Sequence, residues 1–201
     1  MSFLNKIPAI VFLQLLASMF NVGFYATTPA AQNITNETVS HGIVFEDRLS
    51  YQDTEFILAG TGLSRYKRLI KAYVGALYLG PGVSINKMFS DVPKRLEIEY
   101  FLSIPARGFV HATEEGIANN VSAEDYAKLK EKIDQFNTLY EDVKRGDRYS
   151  LTYIPGSGLE LALNGEKKGR IQGAEFAAAV FSIWFGEKPF DEKFKQTVFG
   201  F

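Results

Sequence analysis

The residues best placed to do chemistry lie between Gly60 and Leu79, in the stretch GTGLSRYKRLIKAYVGALYL. Arg65 stands just past a Gly-x-Gly step. An apolar run from Leu69 to Leu79 follows, broken only by Lys71 and carrying Tyr73 and Tyr78. A guanidinium at the mouth of an apolar sheet can hold the polar head of a greasy small molecule. Eight residues of straight strand would span about 26 Å. Arg65 and Tyr73 therefore reach one ligand only if the chain bends back near Tyr66 to Arg68.

Other chemistries lack their residues. Arg65 occupies the place where a third glycine would complete a Gly-x-Gly-x-x-Gly phosphate loop, and a strand pattern follows where a helix should. Gly60-Thr61-Gly62 is then expected to be a tight turn. Gly156-Ser157-Gly158 lacks the Gly-x-Ser-x-Gly spacing of a nucleophile elbow. The chain has no cysteine, so it has neither a thiol nucleophile nor a disulfide. Its two histidines are His41 and His111. His111 shares an expected helix with Glu114 and Glu115, but without a second histidine or an HExxH spacing that trio is a weak metal set. No catalytic residue, metal or cofactor is expected. Lys and Arg number 22 against 23 Asp and Glu, a net charge of −1. A nucleic-acid partner is not expected, because phosphate binding needs a basic excess.

The elements that position these residues can be read from their periodicity. Lys6 and the apolar run Ile7 to Phe20, followed by small residues at Thr28, Ala30 and Ala31, read as an export signal over 1–31. The expected destination is periplasmic or secreted, with membrane contact only through an uncleaved signal. A flexible arm is expected over 32–41 and a single domain over 42–201. Short strands are expected at Ile43 to Phe45 and at Phe56 to Ala59. Leu69 to Leu79 reads as a central strand buried on both faces, and Arg95 to Leu102 as a strand with Arg95, Glu97 and Glu99 toward water. Pro105 suits the start of a helix through Asn120, and Ser122 the cap of the next. A run of antiparallel strands follows, with turns at Pro155 to Gly158 and at Asn164-Gly165. Ala174 to Phe185 is apolar nearly all round, hence a buried helix, and Asp191 to Val198 a short closing one. Antiparallel strands in groups, with helices apart from them, make an α+β fold: a large antiparallel sheet packed against a layer of helices.

The Gly60–Leu79 stretch resembles the chalcone isomerase family, in particular its bacterial chalcone isomerase-like branch. PKRLEIEYFL, DVKRGDRYSLTYIPGSG, LNGEKKGRIQGAEF and IWFGEKPFDE resemble it in the same order. In that family, a Gly-x-Gly-x-Arg element places an arginine at the pocket, on the phenolate of a chalcone or the carboxylate of a fatty acid. Counted back from Tyr73-Val74-Gly75-Ala76-Leu77-Tyr78-Leu79, Arg65 falls on that arginine; counted forward from the glycines, Ser64 does. Tyr73 falls where the fatty-acid-binding relatives carry a tyrosine. The enzymes' tyrosine and asparagine on the following helix are not matched, since Phe109 and Gly116 stand there, and Ala177 occupies the place of a hydroxyl residue on the later buried helix.

The resemblance implies a non-catalytic binder of an apolar carboxylate such as a fatty acid, with Arg65, Tyr73 and Phe109 as ligand-binding residues. Two alternatives stay open: an intramolecular lyase acting on a phenolic enone, and a ligand-free structural or interaction module. The expected partner is a small apolar carboxylate or phenolic ligand.

Overall fold

In the computed structural model the described residues are 36–67 and 69–200; the expected export signal lies outside them. The chain divides into Met1–Ile34 and a compact unit, Thr35–Phe201. Within that unit, strands β1 (Glu37–Ser40) and β2 (Ile43–Glu46) make a small hairpin. Seven more form one antiparallel sheet in sequence order: β3 (Arg48–Tyr51), β4 (Thr54–Tyr66), β5 (Ile70–Leu79), β6 (Lys94–Tyr100), β7 (Arg148–Ile154), β8 (Gly158–Leu163) and β9 (Glu166–Ile171). The helices are α1 (Ala106–Asn120), α2 (Ala123–Asn137), α3 (Ala174–Phe185) and α4 (Glu192–Phe199). The expected α+β architecture is the one observed.

Alternation along β5 builds two cores. Leu77 and Leu79 join Leu96, Ile98, Leu151 and Leu161 beneath the helices, while Val74, Ala76 and Tyr78 pack with Phe45 and Phe56 beneath the β1–β2 hairpin. This is the double burial read from the sequence, but it begins late: Leu69 is 84% exposed and Ile70 and Lys71 are exposed too, because they form the tip of the β4–β5 hairpin.

Three expectations are corrected. Gly60-Thr61-Gly62 is not a turn; it lies inside the thirteen-residue β4. The glycines are needed there because α4 rests on the strand backbone. A Cβ at Gly60 would lie 2.0 Å from the Val198 carbonyl oxygen, and one at Gly62 2.9 Å from the Phe194 ring. Glu37–Ser40, placed in the expected arm, forms β1: His41 and Gly42 both have positive φ (53° and 90°), which closes a two-residue hairpin onto β2. Glu97 does not face water. It is 8% exposed, because the β1–β2 hairpin covers this face of the sheet.

The helices start as the sequence directs. Pro105 is the N-cap of α1, and the Ser122 side chain accepts from the Asp125 backbone N–H while its hydroxyl donates to the Asp125 carboxylate. The buried face of α2 is Leu129, Ile133 and Phe136. Helix α3 is buried on most sides and ends at Gly186.

Candidate functional site

The site builds up from the β4–β5 register. Ser64 stands opposite Tyr73 and Arg65 opposite Lys71, so the ladder skips Ala72. Ala72 is a bulge residue whose carbonyl is taken by the Phe101 N–H. Alternation along β4 then turns Ser64 inward, beneath the helices, and Arg65 outward. Ser64 is 7% exposed. Arg65 is exposed near the hairpin tip, its guanidinium 3.5 Å from the Leu69 carbonyl. The structure therefore does not bring Arg65 together with Tyr73. The chain does double back between Tyr66 and Ile70, which pair across the hairpin, but Ser64 is the residue that faces the tyrosine. This is the forward count from the glycines.

A carboxylate stands where a cation was expected. Ser64 Oγ donates to Asp191 Oδ2 at 2.8 Å, and Asp191 Oδ1 caps α4 by accepting from the Lys193 and Phe194 N–H groups at 3.0 and 3.1 Å. Burial pushes the Tyr73 phenol well above its ordinary range; hydrogen bonding to Ser64 opposes the shift and the Asp191 charge adds to it. Tyr73 is thus a neutral phenol.

Tyr73 opens a chain of rings running under α1. It packs edge-on against Tyr100 (6.1 Å between centroids) and Phe194 (5.4 Å). Tyr100 meets Phe109 at 5.3 Å, and Phe109 stacks on Tyr140 at 5.3 Å. Tyr73 and Phe109 thus belong to one aromatic cluster, with Tyr100 between them. The Thr113 and Tyr140 hydroxyls are 2.8 Å apart. Burial also holds the Tyr100 and Tyr140 phenols far above the usual range, so both are neutral. Thr113, Tyr140 and Asp191 were missed in the sequence, while Ser64 was reached by the forward count from the glycines.

Tyr100, Phe109, Tyr140 and Tyr149, with Thr113, Ile183, Trp184 and Phe190, line a cavity of about 30 Å³ between β6–β8 and helices α1 and α3; Tyr73 is not among its lining residues. That is room for about one water. Phe190, at 44%, is the one exposed residue among the described lining residues. The place of the family asparagine is also filled: a Cβ at Gly116 would meet Ile183 at 2.9 Å and Phe190 at 3.1 Å. Ala177 is fully buried. On the other side of the α3 C-terminus lies an open groove of about 800 Å³ lined by Ile85, Met88, Phe89, Phe185 and Lys195. Elsewhere, His111 is exposed and lies 3.6 Å from the Glu115 carboxylate. Among the described residues no group of three or more His, Asp or Glu side chains is arranged to hold a metal.

Among the described residues the arrangement offers neutral donors in an apolar cleft, with no cation and no base lining it. Such a cleft can take a greasy molecule and orient a polar head through the Thr113 and Tyr140 hydroxyls.

The chain is 26% identical over 141 residues to fatty-acid-binding protein 1 of Arabidopsis thaliana, covering 63% of this chain and 50% of that protein. It thus spans half the length of that relative. The crystal structure of a fatty-acid binding protein from the same plant superposes with a TM-score of 0.66 at 18% identity, covering 82% of this chain and 96% of that one. At that identity the likeness is one of fold. A model of the family described as chalcone isomerase-like matches residues 37–200. With the meander sheet, the covering helices and that match over most of its length, the chain belongs to the chalcone isomerase-like family.

Proposed function

We propose that this chain is a non-catalytic binder of an apolar carboxylate such as a fatty acid. The observation that carries the reading is the apolar cleft whose described lining offers neutral hydroxyls, in a chain similar to a fatty-acid-binding protein. The tail lies along Phe109, Ile183 and Trp184, and the head takes hydrogen bonds from Thr113 and Tyr140, away from the Asp191 charge. Burying each methylene contributes about 0.8 kcal/mol, so the tail supplies most of the affinity.

Ligand sites are typically about 300–1,000 Å³, so a space of about 30 Å³ must widen for loading. Phe190 is the side chain to move. It is already half in solvent, and it sits on the link between α3 and α4.

The test is native mass spectrometry of gently purified protein, followed by titration with a C12–C16 acid. One acid per chain is expected. Phe190→Ala should tighten or speed binding, while Arg65→Ala should leave it within about twofold, since an exposed charge contributes little. Loss of affinity in Phe89→Ser and Lys195→Ala, but no effect of Phe190→Ala, would move the ligand to the outer groove. Absence of any acid in both experiments would overturn the function.

A phenol is the second reading of the head group. The Thr113 and Tyr140 hydroxyls, which line the cavity, can accept from a phenol as well as donate to a carboxylate. Tighter binding of an alkylphenol than of the acid would favour it.

We also propose export to the periplasm or medium, motivated by Lys6, the Ile7 to Phe20 run and Ala30-Ala31. Amino-terminal sequencing of the exported protein tests it; an intact Met1 in a membrane pellet would overturn it.

A further inference from the structure

The opposite face of the sheet carries a second, polar pocket. The β1–β2 hairpin arches over β5, β6 and β7 and leaves a space of about 370 Å³ lined by Glu37, Glu46, Ser50, Tyr78, Arg95 and Glu97, among others. It differs in kind from the aromatic cleft, because its walls are charged.

Most of its charges are satisfied by one another. The Glu97 carboxylate accepts from Arg95 at one oxygen (2.8 Å) and from Arg148 at the other (3.1 Å), and Arg148 also reaches Glu99 at 2.8 Å. Arg148 lies over the Phe45 ring at 4.8 Å and donates to the Val44 carbonyl at 3.3 Å, which ties the hairpin to the sheet.

Two sets of groups are left over. The first is the Tyr78 hydroxyl. Tyr78 is fully buried, yet its oxygen has no hydrogen-bond partner. Burial raises its pKa first of all; Glu97 and Glu46 raise it further, and Arg148 and Arg95 lower it. Tyr78 itself lines the pocket, together with all four of those groups. An unpaired buried hydroxyl loses its hydration without return. The second set is a like-charged pair. Glu37 and Glu46 stand directly opposite across the β1–β2 ladder, and among the described residues neither has an ion-pair partner. Directly opposed like charges destabilise a strand pair.

One ligand answers both. We propose that this pocket binds a small primary ammonium compound carrying a second hydrogen-bonding group, a short diamine or an amino alcohol. Its ammonium lies between the Glu37 and Glu46 carboxylates and relieves their repulsion. Its other polar group meets the Tyr78 hydroxyl, with Ser50 beside it. The paired arginines make the floor unsuited to a second cation in contact with it, so an amino alcohol binds at least as well as a diamine of equal length.

The experiment titrates the full chain with 4-aminobutan-1-ol, putrescine and butane-1,4-diol, reading binding by calorimetry and by thermal upshift. The amino alcohol is expected to bind, and the diol at least about tenfold more weakly, because it lacks a charge-assisted hydrogen bond. Glu46→Gln should weaken the amino alcohol by roughly tenfold or more. Tyr78→Phe should weaken it about two- to tenfold. Without ligand, Tyr78→Phe should melt at or above the parent temperature, since it removes only an unpaired group. The proposal is overturned if the diol binds as well as the amino alcohol, if no probe binds, or if Tyr78→Phe leaves affinity unchanged. A lower melting temperature for ligand-free Tyr78→Phe would likewise overturn it, by showing that water alone satisfies the hydroxyl.

Discussion

Ser64 Oγ donates to Asp191 Oδ2 across 2.8 Å, and this bond ties the strand that faces Tyr73 to the cap of the last helix. One carboxylate thereby serves three donors, two of them backbone N–H groups of α4. Losing an N-cap typically costs about 1 kcal/mol, with an upper range near 2. Asp191→Ala is therefore expected to lower unfolding stability by about 1–2 kcal/mol, while Asp191→Asn, an equally good cap, should cost well under half as much. Ser64→Ala alone should cost about 1 kcal/mol. Denaturant unfolding of both single variants and the double variant checks it. A cycle showing no coupling between positions 64 and 191 would contradict the bond.

Helix α4 lies so close to β4 that Gly60 has no room for a side chain. Its Cβ would stand 2.0 Å from the Val198 carbonyl oxygen, a backbone atom that cannot swing aside. Gly60→Ala is expected to destabilise by roughly 3 kcal/mol, the upper end of ordinary overpacking. Gly108→Ala provides the contrast. Its Cβ meets the Ile104 side chain at 3.1 Å, and alanine favours a helix by about 0.8–1.0 kcal/mol over glycine. That variant should be neutral or slightly stabilised, and the two melting temperatures measured side by side decide the matter.

Lys94 is fully buried, with its ammonium donating to the Met88 and Ser90 carbonyls at 2.7 and 2.8 Å and lying 4.8 Å from the Tyr153 ring centroid. Desolvation lowers its pKa to about 8, with Asp91 opposing. The unfolded chain then holds a proton that the folded chain has lost at pH above 8, so stability should rise with pH there. From pH 8 to 9.5 the gain is at most about 2 kcal/mol. Above pH 10 the buried tyrosines, whose pKa values are raised, act in the opposite sense as the unfolded phenols ionise. Denaturant unfolding at pH 7.5 and 9.5 should show the rise in the parent and lose it in Lys94→Met. An equal rise in both would assign the effect to another group.

The sequence made the elements legible wherever a period was unbroken. Leu77 and Leu79 on one face, with Val74, Ala76 and Tyr78 on the other, identified β5 as buried on both sides, and Ala174–Phe185 was apolar enough to fix α3. The reading failed where a tertiary contact decided the local structure. Gly60 and Gly62 are turn residues by type, but here they are strand residues because α4 needs their missing side chains. Glu97 reads as solvent-facing from alternation alone, until the hairpin covers it. Arg65 and Ser64 differ by one residue, and one residue reverses which face a side chain takes. The Ala72 bulge sets that register across the hairpin, and nothing in the local sequence marks it. Asp191, 127 residues beyond Ser64, could be found only in three dimensions.

The last prediction concerns turnover. Cyclising a chalcone needs a grip on the phenolate and polarisation of the ketone. Here Ser64 and Asp191 stand beside Tyr73, Arg65 is exposed, and Phe109 has no hydroxyl to donate. The space beside Gly116 is taken by Ile183 and Phe190. Among the described residues the remaining donors at the cavity are neutral, and the Thr113 and Tyr140 hydroxyls already bond each other, so turning one such bond toward a developing charge gains about 1 kcal/mol net. That corresponds to less than about tenfold in rate, far below the range of enzymes. Purified protein mixed with a 2′-hydroxychalcone, followed by absorbance and chiral analysis of the flavanone, should therefore show the uncatalysed rate within tenfold and a racemic product. Rapid formation of one enantiomer would mean that the cleft opens into a catalytic arrangement, and would overturn the non-catalytic reading.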